Sequence, residues 1–204
     1  KGFVSQMKIK ICGLFQNGDI DYVNETLPDY IGFVFAKSKR QVSYDQAKVM
    51  SSKLDKRIKT VGVFVDASID EIVKLVNDQI IDLVQLHGDE GIDYIKQLKA
   101  KINVPIIKAI KMTPETDLRT ISFPVDYYLL DSVISGSGKT FDWSLIKKLD
   151  KPFFLAGGIN SGNLDDAIKI NAYAIDVSSG VETNGIKDPN KIKEIVRRIK
   201  NDSR

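Results

Sequence analysis

Eight short runs rich in β-branched and aromatic residues recur from one end of this 204-residue chain to the other. They read MKIKIC (7–12), YIGFVF (30–35), TVGVFV (60–65), IDLVQL (81–86), VPIIKAI (104–110), VDYYLL (125–130), PFFLA (152–156) and AYAIDV (172–177). A strand with one face in water alternates apolar and polar residues. These runs are nearly continuous, as expected of parallel strands covered on both faces. Stretches between them carry helical spacing at 68–77, 89–99, 161–170 and 188–199, with Ser68, Ser161 and Asp188 placed to cap N-termini. Segment 15–29, which contains Pro28, is the poorest helix of the set, and its ends are left open. Eight strand–helix alternations in so short a chain predict an α/β fold closed as an eightfold β/α barrel. A doubly wound open sheet shares the local pattern and periodicity does not separate the two, though the strand count favours the barrel. No linker, low-complexity stretch or charge block divides the chain. Residues 7–204 are therefore read as one domain, and 1–6, ahead of Met7, as a short native extension or a cloning remnant.

Composition narrows the chemistry. The chain is 43% hydrophobic and 28% charged, ordinary for a soluble domain. Its net charge of +3 comes from 30 basic and 27 acidic residues spread along its length, too balanced for a nucleic-acid partner. No apolar run suits a bilayer and no signal-peptide pattern is present, so no membrane partner is expected. There is one cysteine, Cys12, and one histidine, His87. A lone cysteine forbids an intrachain disulfide and fits a reducing, cytoplasmic compartment. The same scarcity speaks against a metal site and against a Ser-His-Asp triad.

In either architecture, chemistry gathers at the carboxyl ends of the strands. Cys12 ends the first run, Arg40 follows the second, Asp66 the third, His87 the fourth and Asp131 the sixth. Gly157-Gly158 follows the seventh run and Ser178-Ser179-Gly180 the eighth. The glycines let backbone approach an anion, and the serines offer amides and hydroxyls with a helix dipole behind them. Either feature alone reads as a simple turn. Together, after strands seven and eight, they predict a phosphate site at Gly157, Gly158, Ser178, Ser179 and Gly180. Gly136-Ser137-Gly138-Lys139-Thr140 invites a nucleotide reading, but a P-loop needs glycine where Val133 stands, so it is read as a flexible active-site loop.

The remaining candidates each carry two readings. Cys12 is either a small buried hydrophobe or, with positive charge nearby, a thiolate base. Asp131 is a cap, a partner for Lys139, or a desolvated carboxyl that holds a proton for delivery. Arg40 is read as an exposed loop residue or as a bidentate ligand for a substrate carboxylate. His87 is a supporting group or a substrate contact, and Asp66 a cap or loop acceptor. Asp176, inside the eighth run, needs a partner, and substrate contact is the sharper option.

These pieces resemble, in order, the phosphoribosylanthranilate isomerase family. The matches begin with Lys10-Ile11-Cys12-Gly13-Leu14, Gly32-Phe33-Val34-Phe35 with Ser38-Lys39-Arg40, Val61-Gly62-Val63-Phe64-Val65 and Val84-Gln85-Leu86-His87-Gly88. They continue with Leu129-Leu130-Asp131-Ser132, Gly136 to Trp143, Ala156-Gly157-Gly158-Ile159-Asn160 and Asp176 to Glu182. The resemblance covers roughly residues 7–195 and implies an eightfold β/α (TIM) barrel. It implies an Amadori rearrangement in tryptophan biosynthesis, in which N-(5-phosphoribosyl)anthranilate becomes 1-(2-carboxyphenylamino)-1-deoxyribulose 5-phosphate. On the matching motifs it assigns Cys12 as general base and Asp131 as general acid. It sets Arg40 beside the anthranilate carboxylate and the phosphate near Gly157, Gly158, Ser178, Ser179 and Gly180. Two proton-transfer groups suffice for this chemistry, so no metal or organic cofactor is expected. The partner is a small phosphosugar, and the assembly a monomer or homodimer. Ser135-Gly136 departs from the paired glycines common in the family. Competing readings are the phosphosugar isomerase of histidine biosynthesis, disfavoured because Cys12 stands where it would carry aspartate, and a non-catalytic phosphate-binding barrel.

Overall fold

All eight apolar runs become strands in the computed structural model, which describes residues 6–132 and 138–202. Val133 and Ser135 to Ser137, weighed above, lie outside the described residues. The strands are β1 (Lys8–Cys12), β2 (Tyr30–Val34), β3 (Lys59–Phe64), β4 (Leu83–Leu86), β5 (Ile106–Met112), β6 (Tyr127–Ser132), β7 (Phe153–Leu155) and β8 (Ala174–Val177). They pair in parallel in chain order, and β8 returns to β1, Lys10 opposite Asp176. Closure rules out the open sheet.

Alternate residues of a strand point to opposite faces, so a closed sheet sorts its side chains into an inner and an outer set. Ile9, Ile11, Phe33, Leu86, Leu130 and Ile175 belong to the outer cluster shared with the helices. Val61, Leu83, Ile107, Leu129, Phe154 and Ala174 form a separate cluster that fills the barrel. Its floor is aromatic: Tyr30, Tyr127 and Tyr173 surround Phe154, and the Tyr30 and Tyr173 hydroxyls are 2.7 Å apart. One step further along the same faces stand Cys12, Gln85, Asp131 and Asp176. The alternation that packs the interior therefore delivers polar groups to its mouth.

The helices are α1 (Asn17–Thr26), α2 (Tyr44–Lys53), α3 (Ile69–Asn77), α4 (Ile92–Lys99), α5 (Leu164–Lys169) and α6 (Pro189–Asp202). Ser68 Oγ accepts from Glu71 N at 3.3 Å and Asp188 Oδ1 from Asn190 N at 2.9 Å, as their positions predict. Ser161 is not a cap. Residues 160–163 wind into a turn in which Asn160 Oδ1 accepts from Gly162 N at 2.8 Å, and the helix starts after Asn163. The poorest segment does form α1, because Asp19 Oδ2 accepts from the amides of Phe15 and Gln16 and Leu27, at φ +54°, ends the helix before Pro28.

Two connections depart from the expected eight helices. Between β5 and β6, and between β6 and β7, the described residues carry single 3-10 turns, Leu118–Thr120 and Trp143–Leu145. Asp117 and Asp142 cap them through the amides of Arg119 and Ser144, side-chain bonds that compete with helix propagation. A short antiparallel hairpin follows the barrel, β9 (Glu182–Thr183) with β10 (Ile186–Lys187), turning on Asn184 at φ +53° and Gly185 at φ +78°. Among the described residues, no helix is long and apolar enough to cross a membrane.

Candidate active site

At the carboxyl ends of the strands the barrel opens into a cavity of about 300 Å³. Nine of the ten residues assigned from the sequence line it; Gly180 does not. One wall is apolar, made by Val34, Ala36, Val63 and Val65 from the ends of β2 and β3. The opposite wall is the Gly157-Gly158 turn and the Ser178-Ser179 segment.

Cys12 stands at the end of β1, only 8% exposed but facing the cavity. Its sulfur has room because its partner in the sheet is Gly32, where a Cβ would lie 2.6 Å from Sγ. Burial pushes the thiol pKa up, opposed chiefly by the charge of Lys10. Lys10 was not singled out from the sequence. It sits two residues before Cys12 on the same face, fully buried, with Nζ 3.1 and 3.2 Å from the two Asp176 oxygens. Burial works against its ammonium, but Asp176 and the Cys12 sulfur outweigh this and its pKa is raised. The partner that Asp176 requires is therefore this lysine. The carboxylate still lines the cavity, and burial raises its pKa against the pull of Lys10.

Asp131 projects from β6, three strands round the barrel from β1. Its Oδ1 accepts from Ser132 N at 2.8 Å, and His87 Nε2 lies 3.2 Å from Oδ2. The Gln85 side-chain amide lies 2.9 Å from His87 Nδ1 and holds the ring with Nε2 toward the carboxyl group. His87 thus supports Asp131 while lining the cavity itself. Asp66, expected as a cap or acceptor, accepts from Asp89 N at 2.8 Å outside the cavity.

Arg40 corrects an expectation. It is buried, not exposed, at 8%. The cause is Glu182, whose Oε1 and Oε2 accept from its Nε and Nη2 at 2.6 and 2.9 Å. Lys187 Nζ completes the cluster, donating to Glu182 Oε1 at 2.9 Å and to the Ser178 carbonyl at 3.0 Å. Burial acts against the Glu182 charge, but the two cations prevail and hold its pKa down at about 2. Burial instead lowers the Lys187 pKa. The Asn184-Gly185 dipeptide between these two residues is a hairpin signal that would have paired them from the sequence.

Gly157 at φ +87° and Gly158 at φ +68° adopt a conformation that glycine alone takes easily, leaving bare main chain toward the cavity. Asn160 and Asn163 hold the turn through Gly158 O at 3.2 and 3.0 Å. Gly180 sits behind it, where any Cβ would overlap the Ile159 carbonyl oxygen. Ser179–Val181 is one 3-10 turn, so it supplies amides rather than a helix dipole of any length.

The chain is similar to known proteins along almost its whole length. A family model described as N-(5'-phosphoribosyl)anthranilate (PRA) isomerase matches residues 9–198. The N-(5'-phosphoribosyl)anthranilate isomerase of Endomicrobium trichonymphae is 49% identical over 195 residues, covering 93% of this chain and 96% of that protein. The crystal structure of phosphoribosyl anthranilate isomerase from Thermotoga maritima superposes with a TM-score of 0.84 at 36% identity, over 96% of this chain and 99% of that one. A phosphoribosyl anthranilate isomerase in complex with reduced 1-(o-carboxyphenylamino)-1-deoxyribulose 5-phosphate superposes at 0.81 with 33% identity, over 96% and 99%. A closed barrel, a cavity where its strands end and a family match over nearly all of its residues agree: this chain belongs to the N-(5'-phosphoribosyl)anthranilate isomerase family.

Proposed function

We propose that this chain converts N-(5'-phosphoribosyl)anthranilate to the aminoketose 1-(2-carboxyphenylamino)-1-deoxyribulose 5-phosphate in tryptophan biosynthesis, with Cys12 as base and Asp131 as acid. One observation carries the residue roles. Cys12 and Asp131 enter the same cavity from different strands, and an apolar wall and a glycine turn flank them. The apolar wall suits the anthranilate ring, with Arg40 at its edge for the carboxylate. The Gly157-Gly158 turn with Ser178 and Ser179 suits the phosphate, and Gly180 lets the two loops approach.

Asp131 gives a proton to the ribose ring oxygen, the bond from that oxygen to C1 breaks, and the anthranilate nitrogen closes a Schiff base to C1. The Cys12 thiolate then takes the proton from C2, and the released electron pair forms the C1–C2 double bond of an enolamine that tautomerises to the ketone. His87 Nε2, 3.2 Å from Asp131 Oδ2, holds the acid in place. The phosphate end supplies binding energy that fixes the sugar between acid and base. A reduced thiol is needed throughout, which fits a cytoplasmic setting.

Steady-state fluorescence kinetics test the roles. Cys12→Ala and Asp131→Asn should each lower kcat by about a hundredfold or more while a bound product analogue keeps its affinity. Near-normal turnover in either variant removes that residue from its role. Arg40→Ala should raise KM with little loss of kcat, and an unchanged KM discards the carboxylate assignment.

A further inference from the structure

A base must spend part of its cycle without its proton, yet burial raises the Cys12 thiol pKa. The group that opposes this most is on the same strand. Pleating sends Lys10 and Cys12 to one side of β1, so the ammonium that hydrogen-bonds both Asp176 oxygens also acts by its charge on the sulfur. A buried ion pair is a poor device for stability alone, because well-packed apolar residues of similar size commonly serve as well or better. Below this pair the barrel interior is packed with Val61, Ile107, Leu129 and Phe154. Its charged layer begins directly under the thiol.

We propose that Lys10 is a positioning residue of the proton-transfer site: its ammonium stabilises the Cys12 thiolate against burial where that sulfur faces the cavity, and Asp176 keeps the ammonium charged and moderates its pull. Other charges face the same sulfur. Lys187 reaches it from the hairpin and Arg40 from the loop after β2, both favouring the thiolate. Asp131 and His87 face Asp176 from β6 and the end of β4. Of the cations, Lys10 acts most strongly on the thiol, from the same face of the same strand. The inference rests on the assignment of Cys12 as base.

Cys12 is the only cysteine, so thiolate absorbance and iodoacetamide alkylation report one group. In Lys10→Met the thiol titration should move up by about one pH unit or more, with alkylation at neutral pH slowed about tenfold or more. In Asp176→Asn it should move down, because the thiolate becomes the nearest anion to the ammonium. The double variant Lys10→Met/Asp176→Asn leaves no orphaned charge and keeps the test available if Lys10→Met fails to fold. Its titration should lie above that of the parent and below that of Lys10→Met. A titration unmoved in the double variant, or shifted the same way in both single variants, overturns the proposal. Failure of the base assignment is read separately, from turnover of Cys12→Ala.

Discussion

At the scale of single residues, the site depends as much on missing atoms as on reactive ones. Gly32 is the clearest case, because a methyl group there would meet Sγ at 2.6 Å and the Cys12 Cα at 3.3 Å, and the backbone atom cannot swing aside. Gly32→Ala should therefore displace the thiol and lower kcat by about ten- to a hundredfold. Kinetics on a variant shown by circular dichroism to be folded would check this. Glu182 acts through its partners. Glu182→Gln strips a charge from between Arg40 and Lys187, which should raise KM about tenfold and destabilise the fold by about 3 kcal/mol or more. Urea denaturation beside steady-state kinetics would measure both. Cys12, Asp131 and the glycine pair were legible in the sequence because each is an unusual residue at a strand end. Lys10, Glu182 and Lys187 were not read, although Lys10 breaks an apolar run two places from Cys12. A buried lysine or glutamate looks like a solvated one until its partner is known: Asp176 lies 166 residues from Lys10 and Arg40 142 from Glu182, while Lys187, five residues from Glu182, was within reach of the Asn184-Gly185 hairpin signal.

At the scale of elements, one device recurs where strands enter the barrel. Asp29, Asp82 and Asp126, each directly before an even-numbered strand, accept from the amides of Ile9, Thr60 and Ile106 on the preceding strand at 3.0, 2.8 and 2.8 Å. A carboxylate on a backbone amide contributes about 1.5–3 kcal/mol, so Asp126→Ala should lower stability by an amount of that order, seen in chemical denaturation. The β9–β10 hairpin has a different dependence. At Gly185 a Cβ would come no closer than 3.6 Å to Lys39 Nζ, so space is available and the φ of +78° is the obstacle. Gly185→Ala should cost about 1–2 kcal/mol and lower Tm by about 2–4 °C per kcal/mol. Because the hairpin carries Glu182, KM should rise with it. The strands were readable from the sequence because burial on both faces writes them as apolar runs. The two connections whose described residues carry only 3-10 turns were not, because Asp117 and Asp142 act through local hydrogen bonds that periodicity does not register.

At the scale of the whole molecule, the buried charges set how the barrel answers to acid. Glu182 titrates at about 2 in the fold against an ordinary 4.5, so it favours the folded state. That stability is complete above pH 4.5, declines as pH falls below it, and is gone once pH passes about 2. Urea midpoints across this range should fall for the parent chain, and Glu182→Gln should flatten that part of the curve. The closed barrel also explains how far the sequence could be read. Eight apolar runs with turn and cap residues between them follow from local physics, since burial and backbone propensity act on neighbours in the chain. They specify the strands, their parallel direction and the rim on which Cys12 and Asp131 stand. Which strand meets which, and so whether the sheet opens or closes, depends on contacts between distant segments that leave no local pattern. Closure joins β8 to β1, and with that pairing the Lys10–Asp176 couple, the setting of the thiol and the burial of Arg40 come into being.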